Sequence, residues 1–184
     1  KGDPCSDGFI SLKPSVSTRA EQGIFTSPSD LFYGELEIEN NTTSNGGGEH
    51  TIEVSRMTAS MNITLRGLQD LTGTNDGNYS LVVRETSSRM DFNGNYGGAP
   101  ASYSPALNPA ANKDFEVPMF RLFPTAEGNG LTIDIYHNRS LLKSITADGS
   151  GKPIVPIVGK TVNLLLNFED SVGCLLYTSP SPRD

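Results

Sequence analysis

The run TIEVSRMTASMNITLRGL (Thr51–Leu68) constrains the fold more than any other part of this 184-residue chain. Met57, Ala59, Met61, Ile63 and Leu65 recur at every second position. Successive side chains of an extended strand point to opposite faces, so this period of two means a strand with one face in a core. Ile52 and Val54 sit on the opposite parity. A slip of one residue moves side chains to the other face, so a bulge or bend is predicted near Ser55–Arg56.

The same period recurs along the chain. YSLVVRE places Tyr79, Leu81 and Val83 on one face, and SRMDF reads as a short second piece. FEVPMFRLFP resumes as a strand whose Pro118, unable to donate to a ladder, marks an edge or a bulge. GLTIDIYHNRSLLKSI reads as a hairpin with Leu131, Ile133 and Ile135 facing in and His137-Asn138 near the turn. KTVNLLLNF puts Val162, Leu164, Leu166 and Phe168 in phase. Leu36 and Ile38 alternate with Glu35, Glu37 and Glu39, a half-exposed strand, and Phe9–Leu12 is a further short strand. Turn chemistry separates these runs at Asn40–His50, Asp70–Asn78, Thr146–Gly159 and a long loop over residues 93–114, drawing on 19 glycines and 12 prolines. No stretch reads as an amphipathic helix. Eight or nine strands without helices predict an all-β chain, an antiparallel β-sandwich.

The formal net charge of −7 repels phosphate backbones, so nucleic-acid binding is not expected. No run of 18 apolar residues predicts a membrane-spanning helix. His50 and His137 have no partner at metal-ligand spacing and read as turn residues. DGSGKP (Asp148–Pro153) lacks the glycine, the hydroxyl residue and the following helix of a phosphate loop. Oxygen-rich turns at Asn75–Asn78 and Asp91–Asn95 depart from EF-hand spacing and read as hairpin turns. There is no Gly-x-Ser-x-Gly elbow, and Glu35, Glu37 and Glu39 read as a solvated strand face. Sequons at Asn40, Asn41, Asn62, Asn78 and Asn138 matter only on a eukaryotic secretory route. These residues predict no enzyme, no catalytic residues, no cofactor and no metal.

The last eleven residues, CLLYTSPSPRD (Cys174–Asp184), match in frame the forward translation of a transposase-type sequencing adapter. On that reading the native sequence stops near Gly173. Backbone from Cys174 onward would be disordered or accidental packing. Cys5 would then be the sole native cysteine, a small loop residue, and no disulfide is expected. The chain opens at Lys1 with no signal-peptide pattern, so a fragment cut at both ends is expected.

Five segments in order resemble the anchoring-subunit family of Bacteroidales-type fimbriae, the FimB-like lipoproteins. They are DLFYGELEI (Asp30–Ile38), VSRMTASMNITLRGL (Val54–Leu68), YSLVVRETSSRMDFNG (Tyr79–Gly94), ASYSP (Ala101–Pro105) and FRLFP (Phe120–Pro124). The resemblance implies a transthyretin-like β-sandwich over residues 28–173, the second of two such domains, with residues 1–27 a linker and remnant of the first. It also implies export, an outer-membrane location through a lipidated cysteine outside this fragment, fimbrial anchoring and assembly, and cell adhesion. Cys5 does not stand in for the lipidated residue. Partners would be other fimbrial subunits, joined by strand addition at a sheet edge. Glu35–Glu39 and Pro118 would shield edges that do not pair. The alternatives are a stalk or tip subunit, or a glycan-binding surface sandwich, for which Tyr96 and Tyr103 are the candidate aromatic platforms.

Overall fold

The computed structural model describes residues 9–11, 23–36, 50–74, 78–169 and 175–180. Cys5, Glu37, Glu39, Asn40, Asn41, Asn75–Gly77 and Cys174 lie outside them. In chain order the strands are β1 (Phe9–Ser11), β2 (Ile24–Phe25), β3 (Phe32–Tyr33), β4 (Ser55–Arg56), β5 (Ala59–Arg66), β6 (Tyr79–Thr86), β7 (Arg89–Asp91) and β8 (Tyr96–Gly97). They continue with β9 (Ala101–Tyr103), β10 (Asn108–Pro109), β11 (Phe115–Leu122), β12 (Thr132–His137), β13 (Ser140–Ile145), β14 (Thr161–Asn167) and β15 (Leu175–Pro180). One helical turn, α1 (Leu68–Thr72), and a 3₁₀ turn at Ala111–Lys113 complete the elements.

Two five-stranded sheets form an all-β sandwich. Their orders are β10-β11-β5-β14-β15 and β13-β12-β6-β9-β2. The inner faces hold the residues that the period of two marks out. Ala59, Met61, Ile63 and Leu65 of β5 and Val162, Leu164 and Leu166 of β14 share a core with Leu81 and Val83 of β6 and Ile133 and Ile135 of β12. Aromatic pairs cross between the sheets: Tyr79 meets Phe115 edge-on at 5.1 Å, and Tyr103 lies 6.2 Å from Phe120. Each fully buried large aliphatic side chain contributes roughly 1.5–3 kcal/mol.

Most pairings are antiparallel, but β14 runs parallel to β5 and β2 parallel to β9. The strand count exceeds the eight or nine expected because two-residue pairings such as β3, β8 and β10 leave no periodicity to read. The parity change near Ser55–Arg56 is a transfer between sheets. Ser55–Arg56 pairs with β3 in a separate two-stranded ribbon, and the core strand begins at Ala59. Ile52 and Val54 stay exposed. Pro118 lies where the β11–β5 register shifts between Val117 and Phe120, so it marks a bulge.

Three further local features bear on the expectations from sequence. α1 forms where no helix was expected, because Gly67 and Gly73 bound it with left-handed backbone. A Cβ on Gly67 would lie 2.6 Å from the Glu169 backbone nitrogen, so only glycine fits that approach. Of residues 1–27, the described Phe9–Ser11 pairs with β7 and Ile24–Phe25 with β9. The backbone of Leu175–Pro180 is a regular antiparallel strand on β14, so of the two expectations, disorder or accidental packing, these six residues do not fit the first. An unpaired edge offers a row of N–H and C=O groups that templates any strand-prone segment, and Leu-Leu-Tyr-Thr is one.

Candidate interaction site

Among the described residues, no three His, Cys, Asp or Glu side chains converge as a metal ion would require. His50 is exposed. His137 is half-buried and stacks on Tyr79 at 4.9 Å, so it is not simply a solvated turn residue. The Asp91 carboxylate accepts the backbone N–H groups of Asn93 at 2.9 Å and Asn95 at 2.8 Å, and the Asn95 side-chain amide at 3.0 Å. The bonds from Asn95, then that from Asn93, hold its pKa below the ordinary carboxylate value, with desolvation opposing. Asp148 closes its own loop the same way, accepting from Ser150 and Lys152. These two carboxylates brace turns. Asn62, one of the sequons, donates to the Asn163 side chain at 2.8 Å across β5 and β14.

The two tyrosines weighed as aromatic platforms part company. Tyr103 is only 2% exposed, which removes it as a surface platform. Its hydroxyl has no partner in hydrogen-bonding geometry, although the Thr86 side chain and Phe123 backbone lie near enough to offset part of its desolvation. Burial pushes its pKa up to about 12. Tyr96 is half-buried, donates to the Met57 carbonyl at 2.6 Å and packs on Phe123.

Three of the five resemblance segments meet at one carboxylate. Asp30 pairs with Arg56 at 3.0 Å and with Arg121 at 3.3 Å. Arg56 also lies 5.5 Å over the Phe32 ring. The Ser27 hydroxyl donates to the Arg121 carbonyl at 2.8 Å and accepts its N–H at 2.9 Å. This clamp holds the segment leading into β3 against β11. Sequence alone assigned no role to these residues, although Asp30, Arg56 and Arg121 all fall within the segments that carry the resemblance.

The outer strands of the two sheets differ in how readily they could accept a further strand. β2 and β10 are two residues long, and β10 contains Pro109. β13 carries Lys143, and its register against β12 shifts between Ile135 and Tyr136, which twists it away from a continuing ladder. β14 differs. Its seven residues, TVNLLLN, include no charge and no proline. Six consecutive positions, Val162–Asn167, face Pro180–Leu175 in antiparallel register.

The backbone polarity of this edge follows from its inner neighbour. The Lys160 carbonyl accepts from Ser60, and the Phe168 N–H donates to the Arg66 carbonyl. A strand residue directs its N–H and C=O to one side and the next residue to the other. The even-numbered residues of β14 therefore serve β5, and Thr161, Asn163, Leu165 and Asn167 serve the outer edge. Their half-exposed side chains leave the core untouched, while Val162, Leu164 and Leu166 anchor the strand from inside.

No helix among the described residues is long and apolar enough to cross a membrane. The family described as fimbrillin-A associated anchor proteins Mfa1 and Mfa2 matches residues 1–180. The major fimbrium anchoring subunit FimB of Porphyromonas gingivalis is 29% identical over 153 residues, which cover 79% of this chain. The chain spans about half the length of that relative, since the match covers 50% of it. Among solved structures, a candidate adhesin from Bacteroides ovatus superposes with a TM-score of 0.61 at 14% identity, covering 94% of this chain and 64% of that one. The fimbrial anchor protein Mfa2 from Porphyromonas gingivalis gives a TM-score of 0.57 at 11% identity, covering 93% and 63%. These superpositions establish a shared fold, and the match over residues 1–180 places the chain in the fimbrillin-A associated anchor protein family.

Proposed function

We propose that this chain is part of a fimbrial anchoring subunit, which attaches fimbriae at the outer membrane and contributes to cell adhesion. The observation that carries this reading is the family match along residues 1–180, supported by FimB relatives named for anchoring. The role is structural rather than catalytic. In this reading the protein is exported and faces the cell exterior, with membrane attachment through a lipidated cysteine that lies outside residues 1–184.

Association with other fimbrial subunits proceeds by strand addition, and β14 is the receiving edge. Its freedom from charge and proline, and the six-position register it already supports, favour it over β13 and the two-residue edges. Backbone bonding would supply affinity there, and the outward side chains of Asn163 and Leu165 would contact the incoming strand. Residues 174–184 remain, on this reading, a translated adapter, of which Leu175–Pro180 takes the place of a partner strand. The family match reaches residue 180 and overlaps that segment, so the native gene decides the point. Recovering these codons in source DNA with native sequence beyond them would overturn the adapter origin.

Deleting the gene tests the anchoring role. Fimbriae shed into the medium are the expected result, and unchanged cell-bound fimbriae would refute it. A chain ending at Gly173 and carrying Leu165→Pro tests the edge. It should fold but lose capture of fimbrial subunits, and full capture would exclude β14.

A further inference from the structure

A cavity of about 490 Å³ opens at the corner where β6 passes into β7, between the 94–100 segment and the turn at 125–129. That volume lies within the roughly 300–1,000 Å³ range of small-molecule sites. The corner is built by a bulge. The β6–β9 register shifts between Val83 and Thr86, and Glu85, in between, has a φ of 74°. Thr86 pairs with Ala101 on one side and Thr125 on the other, and the Ser87 N–H donates to the Pro124 carbonyl at 2.8 Å. Glu85 is thereby fixed on the rim in a conformation that a non-glycine residue adopts only at a cost. Such observed outliers concentrate at ligand clamps.

The lining has a definite chemistry. Glu85 and Glu127 supply carboxylates and Asn129 an amide, while the Asn95 amide nitrogen is already bonded to Asp91. Among the described residues that line the cavity there is no Lys, Arg or His. Phosphate, sulfate and uronate ligands are therefore disfavoured, since the lining brings two carboxylates and no basic side chain. A lipid tail is disfavoured too, because carboxylates, amides and glycine backbone make up much of the wall. The lining does hold one aromatic ring, that of Tyr96, fixed by its hydroxyl bond to Met57 and by packing on Phe123. Gly97 borders the same space, with nothing within 4 Å of its Cβ position. Planar acceptors and amides around one rigid ring suit a compact, hydroxyl-rich ligand with a weakly apolar face.

We propose that this cavity is a sugar-binding subsite for a single neutral or amino-bearing hexose unit, with Glu85 and Glu127 accepting its hydroxyl or ammonium protons and Tyr96 supporting the ring. It is distinct from the β14 edge and does not depend on the anchoring role.

The test is amide chemical-shift mapping of the full chain titrated with N-acetylglucosamine, galactose, glucosamine and, as the anionic control, glucuronate. Neutral and amino sugars should shift amides at 85–87, 94–98 and 125–129, with glucuronate at least about tenfold weaker. Glu85→Gly with Glu127→Ala should weaken binding about tenfold or more. Glu85→Gly relieves the positive φ, so the thermal midpoint of the double variant checks folding independently. The proposal falls if no sugar shifts these amides at millimolar concentration. It also falls if glucuronate binds equally well, or if a folded double variant binds as the parent does.

Discussion

Removing residues 174–184 gives a direct reading of how β14 uses its two edges. The outward-facing residues in register with the added strand are Asn163, Leu165 and Asn167. Each offers one N–H and one C=O, so about six bonds are at stake, at about 1 kcal/mol net apiece. Ordering the backbone of the six residues Leu175–Pro180 costs about 1–2 kcal/mol per residue. Backbone pairing alone thus breaks even at best, and the docked strand is held marginally. Truncation should therefore move the thermal midpoint little, by about 2–4 °C for each 1 kcal/mol lost. Amide hydrogen exchange should report the change position by position. After truncation, Asn163, Leu165 and Asn167 should exchange freely, while Val162, Leu164 and Leu166, whose N–H groups serve β5, keep their protection. Equal loss at both sets would mean that β14 detaches as a whole. Undiminished protection at the odd positions would mean that the outer edge is not vacated. Either outcome refutes the reasoning.

Three other perturbations probe features away from that edge. The β12–β13 turn holds Asn138 at φ 49° and Arg139 at φ 69°. Arg139→Gly should relieve roughly 1–2 kcal/mol of left-handed strain. Glycine's extra unfolded freedom returns about 0.5–1 kcal/mol, for a rise in midpoint of about 1–4 °C in a melting scan. Asp91 has a folded pKa depressed below 3.8, so its contribution to the β7–β8 turn is complete above the unfolded value. That contribution is lost as pH falls through the lower folded value. An NMR titration should show the Asn93 and Asn95 amides moving together with Asp91, with a midpoint below 3.8. Asp30→Ala breaks both arms of the arginine clamp, whose side chains are about a third exposed. The cost should be about 1 kcal/mol in denaturant unfolding and should shrink in high salt.

The faces of the long strands were legible because each has one side in the core for six to eight residues, which imprints a period of two on β5, β6, β12 and β14. The short strands were not. A pairing such as Ile24–Phe25 with Ser102–Tyr103 rests on backbone contacts that leave no pattern in two residues. Tyr103 was misread for a related reason: it sits in a Gly/Pro-rich stretch that composition marks as surface loop. A signal was present, since Ala101 and Tyr103 are two apart and both buried. The side of β14 that β15 covers could not be located from sequence, because it depends on β14 lying beside β5 in parallel, a pairing between residues about a hundred positions apart. The absence of charge and proline in TVNLLLN was readable, but its meaning waited on that topology. The cavity rests on the Glu85 bulge, a backbone conformation that the glutamate itself does not announce.

The parallel union of β5 with β14 also sets the order of assembly. β5 occupies the middle of its sheet, yet the strand on one of its sides is drawn from Phe115–Leu122 and that on the other from Thr161–Asn167. A chain emerging from its N-terminus cannot complete this sheet until its last hundred residues are present. Loop closures of that length must be met before the central contacts repay them. Until then Met61, Ile63 and Leu65 lie against an unfinished layer, a state open to wrong strand pairing. Such a segment is suited to being kept extended through delivery and folding only after Thr161–Asn167 has arrived.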